Sequence, residues 1–212
     1  MGFFSFIKDI YARITIKNKE CNLFYRKKSM VLDKRNMSEE QMIKGCLESN
    51  PLAQRTLYNK LGPKMMGVCL RYMANMEEAQ DVLQDGFVKV FDKLGAYSGA
   101  GSFEGWVRRI FVNTALDAIR KNKKLKHQGQ IDDVTFAFGF NDFIFETLVA
   151  EDLLKVLQEL PLGYKTVFNL YAIEGYSHKE IAKKMNVTVS TSKSQFSRAK
   201  AMLREKITEL EK

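Results

Sequence analysis

The stretch Tyr176–Leu210, YSHKEIAKKMNVTVSTSKSQFSRAKAMLREKITEL, reads as two helices joined by a tight turn. Ser177 with Glu180 three places later is a capping box, in which each side chain accepts from the other residue's backbone N–H. Ile181, Ala182 and Met185 then share one helical face. Asn186-Val187-Thr188 makes the turn, since Asn tolerates the left-handed conformation that ends a helix. In the second helix Ser192, Phe196, Ala199, Leu203, Ile207 and Leu210 fall on one side. The other side carries Ser194, Ser197, Arg198 and Ala201, flanked by Thr191, Lys193 and Arg204. Small, hydroxylic and cationic, that face suits the phosphates and base edges of a DNA major groove. The plainer alternative is a solvated basic face on an ordinary core helix. Cap, turn, spacing and composition together favour DNA.

The whole chain has 212 residues, room for one or two small domains. Its 34 Lys+Arg against 25 Asp+Glu give a net charge of +9, which suits a polyanion, either nucleic acid or an acidic membrane surface. Cys21, Cys46 and Cys69 are odd in number and lack C-x-x-C spacing, which argues against a disulfide framework and for the reducing cytoplasm. His127 and His178 stand apart and form no metal-ligand pattern; His178 reads as a solvated surface residue.

Residues 1–37 read as an N-terminal extension. Phe3, Phe6, Ile7, Ile10 and Ile14 have helical spacing, but Lys8, Asp9 and Arg13 interrupt the apolar run, against a membrane span or signal peptide. An amphipathic membrane-surface helix is one reading. The preferred one is a translated leader preceding a start at Met30 or Met37. No function is assigned to it.

A first helical domain is expected over 38–123. Ser38 and Gln41 form a capping box before an apolar stripe of Met42, Ile43, Cys46 and Leu47. Asn50-Pro51 starts a helix that Gly62-Pro63 is expected to end, and a third helix runs from Lys64 to Met73. The segment Glu77 to Leu94 has the cleanest periodicity: Ala79, Val82, Leu83, Gly86, Phe87, Val90, Phe91 and Leu94 mark its buried face. Asp81, Gln84, Asp85, Val88 and Asp92 line the opposite side, an acidic stripe that nucleic acid repels. It reads either as a docking face for a basic protein groove or as a merely soluble surface. Tyr97–Gly101 (YSGAG) is a small-residue loop without the spacing of a nucleotide cradle.

After Ser102 as cap, a helix is expected from Phe103 to about Lys121, burying Val107, Phe111, Thr114, Ala115 and Ala118. Trp106, Arg109, Asn113, Asp117 and Arg120 share another face. An aromatic ring beside cations is a platform for unpaired bases, whereas a lone tryptophan is also an ordinary core residue; both readings stand. Lys121, Lys123, Lys124 and Lys126 extend the cationic run. Periodicity then fades over a linker, 124–147. A second domain, 148–212, opens with Ala150, Leu153, Leu154, Leu157 and Leu160, followed by Tyr164, Val167, Phe168 and Tyr171 ahead of the helix-turn-helix. The expected fold class is all-α: two small helical domains joined by a linker, the C-terminal one a helix-turn-helix.

Three blocks, EEAQDVLQDGFVKVF (77–91), SFEGWVRRIFVNTALDAIRK (102–121) and YSHKEIAKKMNVTVSTSKSQFSRAKAMLREKI (176–207), together resemble the signature regions of bacterial sigma factors of the extracytoplasmic-function group. The resemblance spans about Ser38 to Leu210. It implies that Asp81, Gln84, Asp85 and Phe87 meet the clamp helices of the largest subunit of RNA polymerase core; for Phe87, on the buried side of its helix, a structural role is the alternative. Phe103, Trp106, Arg109, Asn113 and Arg120, with the preceding loop, fall in the region that melts the promoter −10 element and holds a flipped base. Thr191, Lys193, Ser194, Gln195, Ser197, Arg198 and Arg204 fall in the reader of the −35 element. The family also implies an anti-sigma factor that masks the polymerase and DNA surfaces, a membrane protein being one form it can take. Two positions depart from its pattern: Gln195 where arginine is common, and Ser190 where glycine is common. Gln195 either reads adenine in place of guanine or, on the helix flank, contacts no base.

The chain is therefore expected to be a non-enzymatic, dissociable polymerase subunit acting in the cytoplasm, with no cofactor, metal or small-molecule substrate. The competing reading is a conventional helix-turn-helix regulator whose first domain senses a ligand or dimerises. Such a regulator needs neither the acidic stripe nor the Trp106 row. An enzyme is the weakest reading, since no paired carboxylate, nucleophile–base or metal constellation appears.

Overall fold

The computed structural model describes residues 37–127 and 154–210, which belong to two compact units. The N-terminal extension up to residue 36, Cys21, most of the expected linker and the expected start of the second domain lie outside the described residues. All regular elements among the described residues are helical.

In the first unit, α1 (Glu39–Leu47) begins as its sequence dictates: Ser38 Oγ accepts from Gln41 N–H and the Gln41 side chain accepts from Ser38 N–H. Met42 and Cys46 are buried, but Leu47 is 54% exposed, so the stripe is narrower than expected. Asn50 then caps α2 (Pro51–Tyr72), its Oδ1 accepting from Leu52 at 2.9 Å and Ala53 at 3.3 Å. α2 is one continuous helix. Gly62-Pro63 does not divide it, contrary to the sequence expectation. Proline's fixed φ is compatible with a helix, and its cost is the lost hydrogen bond to the carbonyl four residues back. Leu57, Leu61, Met65, Met66, Val68 and Cys69 are buried on both sides of Pro63. Each such side chain contributes roughly 1.5–3 kcal/mol, enough together to outweigh one lost turn bond.

α3 (Met76–Lys93) is capped by Asn75 and followed by a single 3-10 turn, Leu94–Ala96. α4 (Phe103–His127) runs a turn and a half past its expected end at Lys121. α2 packs against α1, α3 and α4, and α3 against α4, giving one shared core. Cys46 and Cys69 are free thiols within it, and burial pushes the Cys69 thiol up to about 12.

The second unit contains a helical stretch at 154–158, α5 (Leu162–Phe168), a π-helical turn (Asn169–Ile173), α6 (His178–Met185) and α7 (Val189–Leu210). Ser177 and Glu180 form the expected capping box, and Asn186 closes α6 in the left-handed conformation at φ 52°. Thr188 then starts α7, its Oγ1 accepting from Thr191 N–H at 3.0 Å. α7 packs on both α5 and α6, through Ser192, Phe196, Ala199 and Leu203, all buried.

Candidate nucleic-acid and polymerase interfaces

The amphipathic pattern of α3 puts Asp81, Gln84, Asp85 and Asp92 in solvent, with Val88 among them at 59% exposure. One exposed valine amid carboxylates fits either expectation for this face, a docking surface or a merely soluble one. Phe87 does not join this face. It is 3% exposed and packs in the core on Tyr58, centroids 4.6 Å apart, and edge-on to Phe111 at 5.2 Å. Of its two readings, polymerase contact or structural residue, this burial matches the structural one: it holds α3 in place from behind.

The face of α4 is built on an aromatic stack. Trp106 is half-buried, lies nearly parallel to Phe103 (centroids 5.9 Å, 18°) and tilts against Tyr97 at 5.4 Å. Phe103 itself is 1% exposed, so its expected contact with unpaired bases is corrected to support of the Trp106 ring. Trp106 thus lies between its two readings, packed on Phe103 and Tyr97 yet partly open to solvent. Tyr97 Oη donates to the Gly101 carbonyl at 2.9 Å and ties off the loop before α4. Gly99 (φ 75°) and Gly101 (φ 86°) take backbone conformations in that loop that side chains resist. Arg109 and Arg120 are exposed, and Asn113 is half-buried on the same row. Arg120 pairs with Asp117, which also meets Lys89 at 3.5 Å. Exposed pairs of this kind contribute roughly 0.2–1 kcal/mol, so they do not bar Arg120 from a phosphate. Lys121 and Lys123 continue in solvent.

On α7, Lys193, Ser194, Ser197, Arg198 and Arg204 are exposed and Thr191 is half-buried at the N-terminal end. Ser190 shares hydroxyl contacts there: Thr188 Oγ1 lies 2.8 Å from Ser190 Oγ and 2.7 Å from Thr191 Oγ1. Gln195 is turned aside. Its amide abuts Gly163 of α5, and its Oε1 is buried without a hydrogen-bond partner. Of the two readings of Gln195, this geometry matches the flanking one.

His178, read as a solvated surface residue, is half-buried. Instead of standing in solvent, its ring stacks on Tyr171 (4.3 Å, 15°), meets Phe196 edge-on at 5.9 Å, and has Nδ1 2.9 Å from the buried Ser192 Oγ. It thus joins the π-helical turn, α6 and α7. Burial and the charge of Lys193 hold its pKa below the ordinary value. No signal within α6 alone reveals this role, because both aromatic partners belong to other elements. Among the described residues no group of His, Cys, Asp and Glu is arranged to hold a metal ion, and no helix is long and apolar enough to cross a membrane.

Residues 57–125, which include the α3 stripe and the α4 row, match the sigma-70 region 2 family, and residues 150–203 match sigma-70 region 4. RNA polymerase sigma factor SigV of Bacillus subtilis is 31% identical over 140 residues, covering 65% of this chain and 80% of SigV. The chain is an extracytoplasmic-function sigma factor of the sigma-70 family. The extracytoplasmic-function sigma-E factor of Haemophilus influenzae is 24% identical over 185 residues, 82% of this chain and 97% of that one. The fold is shared with the sigma factor RpoE of Bartonella quintana, solved in complex with the anti-sigma factor NepR (TM-score 0.51, 19% identity, 73% and 96% coverage). Like its family, this sigma factor is a non-enzymatic factor for promoter-specific transcription initiation.

Proposed function

We propose that this sigma factor presents three separate faces to three partners during initiation. Asp81, Gln84 and Asp85, with Val88 between them, dock on the basic clamp helices of the largest subunit of core polymerase. Trp106, Arg109 and Asn113, beside the Tyr97–Gly101 loop, hold unpaired bases of the −10 element as the duplex opens, while Arg120, Lys121 and Lys123 follow its phosphates. The outer face of α7, from Thr191 to Arg204, enters the major groove of the −35 element. The work is done in the cytoplasm, where polymerase and promoters are. An anti-sigma factor, of the kind bound to the Bartonella RpoE, holds the protein inactive by covering these surfaces.

The observation that carries this reading is the segregation of charge. In a chain of net charge +9, the exposed stripe of α3 bears Asp81, Asp85 and Asp92, while the outer face of α7 bears Lys193, Arg198 and Arg204 among hydroxyls. An acidic face repels DNA and attracts a basic protein surface; a basic, hydroxylic one does the reverse. The test is reconstitution. Purified chain added to core polymerase is expected to start transcripts at a distinct set of promoters on genomic DNA, with permanganate-reactive thymines near each start. A chain that binds DNA but neither associates with core polymerase nor redirects its starts would sink the proposal.

A further inference from the structure

Arg198 is the central cation of the outer face of α7, and its exposed guanidinium has a partner on the protein. Nη1 donates to Tyr164 Oη at 3.1 Å, and Tyr164 belongs to α5, outside the helix-turn-helix. One turn earlier on the same flank, Gln195 meets the neighbouring residue: a β-carbon on Gly163 would lie 3.0 Å from Gln195 Nε2. Positions 195 and 198 are three apart and form one ridge of α7, and the first turn of α5 abuts both. An exposed arginine side chain keeps many rotamers open, and that freedom must be given up when its guanidinium is fixed on a ligand. A phenol on a rigid ring, mounted on a helix packed against α7, removes part of that freedom before any DNA is met. One donor of the fork is engaged by Tyr164; the remaining donors stay available to a phosphate or a base edge.

We propose that Tyr164 is a positioning residue for promoter recognition: its hydroxyl holds the Arg198 guanidinium in the orientation that contacts duplex DNA. The promoter contact of α7 is thereby set in part by a residue that precedes the helix-turn-helix. This rests on the reading of α7 as the helix that enters the upstream element.

The test is a double-mutant cycle on holoenzyme, made from the full chain and core polymerase of the same organism. The probe is the double-stranded upstream sequence that the parental holoenzyme enriches most strongly from a randomised pool. Tyr164→Phe keeps the ring and its packing, and circular dichroism is expected to show an unchanged fold. It is expected to weaken binding by about three- to tenfold, the worth of one hydrogen bond. Arg198→Ala is expected to weaken binding as well, and adding Tyr164→Phe to it should change affinity by less than about twofold. A purely structural tyrosine would act equally in both backgrounds, and that outcome overturns the proposal. So does parental affinity in Tyr164→Phe while Arg198→Ala binds weakly; the duplex reading of α7 then stands. If Arg198→Ala itself binds like the parent, the contact assigned to Arg198 falls and the role of Tyr164 falls with it.

Discussion

A β-carbon on Gly86 would lie 2.3 Å from Cε1 of Phe111, so α3 and α4 meet with only a hydrogen atom between backbone and ring. Both residues are buried, Phe111 fully. This close approach fixes the acidic face of α3 and the Trp106 face of α4 within one rigid core, so the faces proposed for polymerase docking and base capture belong to the same body.

Gly86→Ala sets two effects against each other. Alanine favours a helix by about 1 kcal/mol over glycine. The fully buried Phe111 ring would have to shift, and overpacking costs about 1–3 kcal/mol. Net destabilisation is expected, read as a lower denaturant midpoint with an unchanged m-value. A more stable variant would mean that the α3–α4 contact is looser than described.

Asp85→Lys reverses a charge in solvent and is expected to leave the fold intact. Placed against a basic polymerase surface it should weaken core binding by about tenfold or more, with the loss shrinking as salt is added. Titration of labelled core enzyme measures this directly. Equal affinity for variant and parent would remove the role given to the α3 stripe.

Trp106→Ala with Asn113→Ala removes the half-buried aromatic ring and its polar neighbour on α4. Trp106 also supports Phe103, so circular dichroism must first establish that the variant is folded. Closed complexes are then expected to form normally and open complexes to drop, each lost stack being worth about 1–3 kcal/mol. A template with a pre-melted bubble should restore much of the transcription. Normal permanganate reactivity in the folded variant would show that this face does not hold single strands.

His178 makes stability depend on pH. Its folded pKa lies below the ordinary 6.5 because of burial and of Lys193 nearby. The unfolded chain therefore binds more protons around and below pH 6.5, and stability rises with pH across that window. The contribution is fully present above the unfolded pKa and is lost as pH falls through the folded one. His178→Asn keeps a polar atom for Ser192 without titrating. The parent's thermal midpoint should fall more steeply than the variant's between about pH 7.5 and about pH 5.5. Parallel curves would show that His178 does not carry the effect.

What the chain makes legible is what is local. The boxes Ser38–Gln41 and Ser177–Glu180, the Asn50-Pro51 start and the left-handed Asn186 are each settled by residues within one turn, and each is observed as read. Periodicity also separates the exposed carboxylates of α3 from its core, because helix geometry alone decides the face. It fails where a distant partner decides. Gly62-Pro63 reads as a break, but the apolar line running through it is buried against other helices. His178 reads as surface because Tyr171 and Phe196 lie on other elements. Phe103 sits inside a motif with an expected surface role while its own ring fills the core, whereas periodicity already puts Phe87 on the buried face. A motif marks a neighbourhood; packing decides which of its members face out.

The Tyr97–Gly101 hydrogen bond bears on the speed of promoter opening. A loop already closed on itself surrenders little conformational freedom when a nucleotide arrives, so less of the binding energy is consumed in ordering it. Cutting that tie with Tyr97→Phe leaves the ring against Phe103 and Trp106 but lets the glycine backbone wander. The defect should therefore appear in how fast the bubble forms more than in how long it lasts, and a lower temperature, by damping the loop's excursions, should narrow the gap between variant and parent.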